Sequence, residues 1–189
     1  PFDTRLIHLF ENSPDEVPTI FRPELHLEGF YTLFAHSRLL EIANQILGPE
    51  IRIYPNYSVR PKLPENKRTE VPWHQDAGYG PWPEEAIERG ITCWLALVDA
   101  TPEQGSMQFV PGSHQQGIYR HHNVQDRNPI GGALEVILEG QVAVPVAYQA
   151  GDCSFHHACT LHYTGPNQTS QERRSLSTHF WPTPAIQKR

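Results

Sequence analysis

Apolar positions along the chain fall into two regimes. In "SRLLEIANQILGPEI", Leu39, Leu40, Ile42, Ala43, Ile46 and Leu47 recur at the spacing of one helical face. Ser37 is placed to cap the start and Gly48-Pro49 to stop it, so the pattern predicts a helix of about three turns lying on a core. Beyond it the pattern turns to short strand-like runs. "EIRIYPNYSV" alternates as one strand, with Pro55 marking an edge or a bulge. "PWPEEAIERG" predicts one short helix, with proline at its entry, acids in the first turn and Gly90 at its exit. "ITCWLALVDA" is a continuous apolar run, the mark of a strand covered on both faces. "SMQFVPGSH" reads as a strand ending in a Pro-Gly turn with a structural His114. "QVAVPVAY", "DCSFHHACTLHY" and "RRSLSTHFW" are three more strands, separated by "QAGD" and "TGPNQTSQE" as turns. Residues 1–34, carrying Pro14, Pro18 and Pro23 with little periodicity, read as loop with one short helix. No repeat or low-complexity linker divides the chain, so a single domain is expected over residues 1–189. Strands broken by long loops, with helices packed outside, predict a mainly β fold. It is a double-stranded β-helix, the cupin-like jelly roll, with flanking helices.

Composition narrows the function classes. A chain of 189 residues is long enough to bury a substantial core. Fifteen Lys plus Arg against 21 Asp plus Glu give a formal charge of −6 with no basic cluster, which argues against nucleic acid as a partner. No apolar run approaches the ~20 residues of a membrane helix and no signal-peptide pattern opens the chain, so no membrane is expected. The sequence opens on Pro1 rather than methionine, so an N-terminal portion is expected to lie outside it. Cys93, Cys153 and Cys159 are odd in number with no CxxC spacing, which suits reduced thiols, each a small buried hydrophobe, in a cytoplasmic protein. Eleven histidines invite a metal.

The stretch "VPWHQDAGYG" puts His74 and Asp76 two residues apart. In an extended segment side chains at i and i+2 point the same way, so both can converge on one ion while Gln75 points elsewhere. The bland alternative is an exposed hydrogen-bonded pair near a turn, and a metal needs a third ligand from another segment. "FHHACTLHYTGPN" offers His156, His157 and His162. Two imidazoles and one carboxylate on one face of an octahedral ion leave three positions open, the donor set of non-haem Fe(II) rather than of magnesium, calcium or a thiolate-bound zinc.

The motifs "WHQD", "TCWLALVDATPEQGSMQFVPGSH", "GDCSFHHACTLHYTGPN" and "RRSLSTHF", in this order and spacing, resemble the phytanoyl-CoA dioxygenase family of Fe(II)- and 2-oxoglutarate-dependent oxygenases on a jelly-roll fold. The resemblance runs from about residue 36 to 181, leaving the first 35 residues outside. It implies that His74, Asp76 and His162 are the iron ligands, and that His156 and His157 are not. Those two are expected to pack or bond structurally, while His8, His26, His121 and His122 are expected on the surface or in loops.

2-Oxoglutarate carries a second carboxylate, and burying it requires a cation, best an arginine fork. "QERRSLS" offers Arg173 and Arg174. Strand alternation puts Arg173 with Ser175 and Ser177 on one face and Arg174 with Leu176, Thr178 and Phe180 on the other, without saying which face meets the iron. The resemblance selects Arg173, adds Thr164 as a hydroxyl donor to the same carboxylate, and implies Trp94, Gln75 and Asn56 as neighbours of the cosubstrate. Trp94 serves equally well as a core aromatic, and Asn56 is better explained structurally. The function so implied is a dioxygenase that uses Fe(II), 2-oxoglutarate and O2 to hydroxylate an unactivated C–H bond of a small molecule, releasing succinate and CO2. Desaturation or ring formation would share the same chemistry. A radical halogenase would need a small residue where Asp76 stands. A non-catalytic jelly-roll module would have no need of His74, Asp76, His162 and Arg173 together. Tyr79, Trp82 and Trp181 can line a ring-stacking substrate pocket or fill the core.

Overall fold

Two antiparallel four-stranded sheets form the jelly roll, and what lies on each of their faces follows from alternation along the strands. The computed structural model describes residues 8–9, 11–13, 27–66, 69–80, 82, 84–124 and 134–183, apart from the side chains of residues 55–58 and 85. In chain order the elements are α1 (Glu28–Phe34), α2 (Ser37–Leu47), β1 (Ile51–Lys62), β2 (Val71–His74), α3 (Glu84–Arg89), β3 (Ile91–Ala96) and β4 (Met107–Phe109). They continue with β5 (His122–Asn123), β6 (Leu134–Glu135), β7 (Val144–Pro145), β8 (Cys153–His157), β9 (His162–Thr164) and β10 (Arg173–Pro182). One sheet has the order β1-β10-β3-β8 and the other β2-β9-β4-β7, while β5 and β6 pair as a separate ribbon.

The predicted helix Ser37–Leu47 is present and stops at Gly48, whose φ of 99° suits glycine. Its N-cap is His36, whose side chain accepts from the Arg38 amide, so Ser37 is the first helical residue rather than the cap. Leu39, Ala43 and Leu47 pack on Ile91, Cys93 and Phe180, and Phe34 of α1 packs on Leu95 and Leu176. The two helices thus cover the outer face of the first sheet. Strand β3 is buried at every residue because the helices cover Ile91, Cys93 and Leu95 while the second sheet covers Thr92, Trp94 and Ala96. The three cysteines are free thiols.

The irregularity expected at Pro55 is a register shift between Tyr54 and Ser58 in edge strand β1. Two strand predictions need correction. "QVAVPVAY" contributes only Val144–Pro145 and a bridge from Tyr148 to Ala100. "DCSFHHACTLHY" is not one strand: β8 belongs to the first sheet, β9 to the second, and a turn at Ala158–Leu161 carries the chain between them. Apolar content alone cannot report that break, because both halves are buried. The turn is held by tertiary bonds, from the Ala77 amide to the Ala158 carbonyl at 3.0 Å and from the Ala158 amide to the Gly90 carbonyl at 2.9 Å.

Candidate metal centre

His74 is the last residue of β2, Gln75 stays extended (φ −119°, ψ 136°), and Asp76 opens a single 3-10 turn. The alternation therefore holds across His-Gln-Asp, and His74 and Asp76 face the same way. His162 opens β9 directly opposite His74, with ring centroids 4.1 Å apart. The change of sheet after His157 is what brings it there. His74 Nε2 and His162 Nε2 each lie 3.7 Å from Asp76 Oδ1, and the ligating atoms of the three residues all fall within 4.8 Å of one another. Among the described residues, this is the one group of three or more His, Cys, Asp or Glu side chains so arranged.

The ring orientations are determined by backbone. His74 Nδ1 is 2.7 Å from the Pro72 carbonyl and His162 Nδ1 is 2.8 Å from the Thr160 carbonyl. A carbonyl can only accept, so each Nδ1 carries the proton and each Nε2 presents a lone pair. A bond from the other ring nitrogen to a carbonyl commonly fixes the orientation of a metal-ligating histidine. Burial, reinforced by the neighbouring His74 ring, holds His162 well below the usual imidazole range, which keeps it neutral. Burial pushes the Asp76 carboxyl up. The interaction with the His162 ring, contacts from His156 and His74, and the interaction with His179 outweigh that and hold it well below the usual carboxylate range. Two neutral imidazoles and one carboxylate are the state in which all three can ligate a cation.

Arg173, at the start of β10, is fully buried and lies with its Cζ 5.3 Å from the centroid of the Trp94 ring. It donates to the carbonyls of Arg60 and Gly105 and to Ser175 Oγ, while its Nε has no partner among the described residues. Burial and the nearby Arg60 charge push the guanidinium down to about 9, so it remains a cation at neutral pH. Arg174 faces the other way and pairs with Glu172 at 2.6 Å. Thr164 is buried on the same face of β9 as His162, and its carbonyl accepts from Lys62 Nζ at 3.0 Å. Gln75 is fully buried, but its amide is committed to backbone. It donates to the carbonyls of Gly117 and Cys159 and accepts from the Tyr119 amide, which ties three loops together. The Asn56 side chain and His26 lie outside the described residues.

Of the other histidines, His157 bonds structurally, to the Glu88 carbonyl at 2.7 Å and from the Cys159 amide at 3.1 Å. His114, His122 and His8 are exposed, and half-buried His121 accepts from the Gln75 amide. His156 packs its ring against Phe109. It points at the centre, with Nε2 3.4 Å from Asp76 Oδ2 and its ring 4.4 Å from that of His162, and neither ring nitrogen makes a hydrogen bond among the described residues. Sequence reasoning also passed over Thr92, which donates to Asp76 Oδ2, and His179, whose Nδ1 is 2.8 Å from the Thr92 hydroxyl. A signal existed for His179: it continues the Arg173, Ser175, Ser177 alternation by one more step. Of the aromatic residues, Trp82 and Trp181 cluster with Tyr54, and Tyr54 and Trp82 flank His179, while Tyr79 stands edge-on to His74.

The sequence model described as phytanoyl-CoA dioxygenase matches residues 15–175, so the similarity begins inside the first 35 residues rather than after them. The chain is 28% identical over 180 residues to a probable alpha-ketoglutarate-dependent hypophosphite dioxygenase of Stutzerimonas stutzeri, covering 88% of this chain. It is 30% identical over 178 residues to a methylphosphonate hydroxylase of Gimesia maris, covering 92% of this chain. It spans 59% and 63% of the lengths of these two relatives. Among solved structures, the non-haem alpha ketoglutarate-dependent epimerase SnoN from nogalamycin biosynthesis superposes with a TM-score of 0.64 at 30% identity, covering 86% of this chain and 60% of SnoN. No helix of the described residues is long and apolar enough to cross a membrane.

Proposed function

Because this chain belongs to the phytanoyl-CoA dioxygenase family, we propose that it is an Fe(II)- and 2-oxoglutarate-dependent dioxygenase that hydroxylates a C–H bond of a small molecule. The observation that carries this reading is the convergence of His74 Nε2, Asp76 Oδ1 and His162 Nε2, with both Nδ1 atoms already spent on carbonyls. That set suits Fe(II) and leaves positions on the metal for the cosubstrate and oxygen. Bound there, iron supplies the oxidising chemistry by which substrate, O2 and 2-oxoglutarate become hydroxylated product, succinate and CO2.

The chain's own residues bind and orient. Arg173 takes the distal carboxylate of 2-oxoglutarate, for which its unpartnered Nε and buried positive charge are suited. Trp94 flanks that cation, and Thr164 lies on the same face as His162. Gln75 serves by holding the loops around the ligands. His74, His162 and Arg173 are buried, so the ligand charges act in a medium of low dielectric. Tyr54, Trp82 and Trp181, gathered beside His179, form an apolar wall on which a small substrate can lie. The relatives named for hypophosphite and methylphosphonate support a small-molecule substrate without identifying it.

The test is succinate release. Native protein supplied with Fe(II), O2 and 2-oxoglutarate should form succinate, and more of it when a panel of small metabolites contains the substrate. Asp76→Ala should lose both iron binding and succinate formation. An Asp76→Ala variant with native turnover would overturn the assignment, and a native chain that binds iron yet never forms succinate would be a binding module instead.

A further inference from the structure

Asp76 has two oxygens, and only Oδ1 faces the two histidine Nε2 atoms. The other, Oδ2, meets one cross-strand row of the first sheet. His179 of β10 lies opposite Thr92 of β3, and Thr92 lies opposite His156 of β8. These three residues from three adjacent strands stand at 3.9 Å, hydrogen-bond distance and 3.4 Å from Oδ2, respectively. The protons can be assigned by elimination. A carboxylate only accepts, so the single Thr92 hydroxyl proton goes to Oδ2. Thr92 Oγ1 then has no proton for His179 and must accept, so His179 carries its proton on Nδ1. His156, 7% exposed and with neither ring nitrogen hydrogen-bonded among the described residues, has its Nε2 3.4 Å from Oδ2, where it can serve as a second donor.

We propose that the row His179–Thr92–His156 is a carboxylate clamp, a set of positioning residues that holds Oδ2 and so presents Oδ1 alone to the metal. The inference rests on the reading of His74, Asp76 and His162 as metal ligands. Without the clamp the carboxylate is free to rotate about its terminal torsion, which is soft, or to bind through both oxygens. Partners of metal ligands fix orientation and basicity, and their loss typically lowers metal affinity by about 10- to 100-fold. The row also explains why one hydroxyl, that of Thr92, occupies the interior of the otherwise apolar strand β3.

Anaerobic titration with Co(II), followed by its visible absorption, tests the clamp without turnover. Thr92→Val, which keeps the branched outline but no hydroxyl, should weaken Co(II) binding by about 10- to 100-fold and alter the absorption envelope. Thr92→Ser, which keeps the hydroxyl, should restore both. His156→Phe, which keeps a ring against Phe109 and His162, should also weaken binding. His179→Phe should weaken it in the native background but add nothing in the Thr92→Val background, since His179 acts through Thr92. Native affinity and spectrum in Thr92→Val would overturn the clamp, as would a Thr92→Ser variant as impaired as Thr92→Val. If Thr92→Val does not fold, the serine and His179→Phe variants decide by the same measurement. A native chain that takes up no Co(II) would overturn the metal centre itself, whereas native uptake with indifferent variants overturns the clamp alone.

Discussion

Arg173 and Arg174 are adjacent in sequence and opposite in surroundings. Arg173 is fully buried over Trp94, whereas the Arg174 side chain is 37% exposed and paired with Glu172. With Arg173 as the proposed anchor, removing it should leave the cosubstrate carboxylate without its cation, a loss of roughly 2–5 kcal/mol by analogy with truncated buried charge pairs. Arg173→Ala should therefore raise the 2-oxoglutarate dissociation constant by about 30-fold to several thousand-fold, measured by titration calorimetry on the metal-loaded protein. Arg174→Ala should shift it by no more than about 1 kcal/mol, because its contacts are screened by water. The opposite ranking would reassign the anchor. At this scale the sequence carried the residue types and the H-x-D convergence, and the alternation separated the two arginines without saying which faced inward. Thr92 and His156 carried no such signal, because their relation to Asp76 runs across strands far apart in the chain.

At the scale of elements, β10 organises the molecule by giving each face a different task. Arg173, Ser175, Ser177 and His179 face the second sheet and the site, while Leu176 and Phe180 face the helices. Leu176 is fully buried against Phe34 and Leu95, so Leu176→Ala should cost about 2–5 kcal/mol through lost burial and a residual cavity. The urea midpoint would report that loss, and Co(II) affinity of the folded protein should stay native because the residue points away from the ligands. A second element-scale prediction concerns Gly105, with φ +73°. A side chain there would bring Cβ within 3.0 Å of Gly165 backbone atoms, and the Gly105 carbonyl is itself held by Arg173. Gly105→Ala should destabilise the fold by more than the ~1 kcal/mol of a left-handed alanine, because backbone must move. It should also weaken 2-oxoglutarate binding, and an alanine variant with native stability would contradict the close approach. The helix on 37–47 and the long strand ending at Trp181 were legible from periodicity. The split between β8 and β9 was not, since a buried turn and a buried strand have the same apolar content.

For the molecule as a whole, the buried centre sets the response to acid. His162 titrates well below its ordinary value because of burial, so on acidification the unfolded chain takes up a proton at this site before the folded chain does. Its contribution is neutral above the unfolded imidazole value of about 6.5 and increasingly destabilising below it. Asp76 is also depressed, so its stabilisation is complete above the unfolded carboxylate value of about 3.9 and is lost as pH falls from there through the folded value. Both act in the same direction. The urea midpoint of the metal-free chain should fall as pH drops below about 6.5 and fall further below about 4. Metal retention should decline over the same acid range, because a proton and a metal compete for Nε2. A urea midpoint and metal retention unchanged on acidification would contradict direct histidine ligation.

The sequence by itself determined the jelly-roll class, the His74–Asp76 pairing and the family, because period-two alternation, the H-x-D spacing and the ordered motifs are local properties of the chain. Only the tertiary structure decided that Arg173 faces inward, that His162 stands opposite His74, and that Thr92, His156 and His179 gather around the second oxygen of Asp76. Those relations depend on which strands become neighbours and in what register. Register is decided jointly by helices on one face and a second sheet on the other, and no segment carries that information alone.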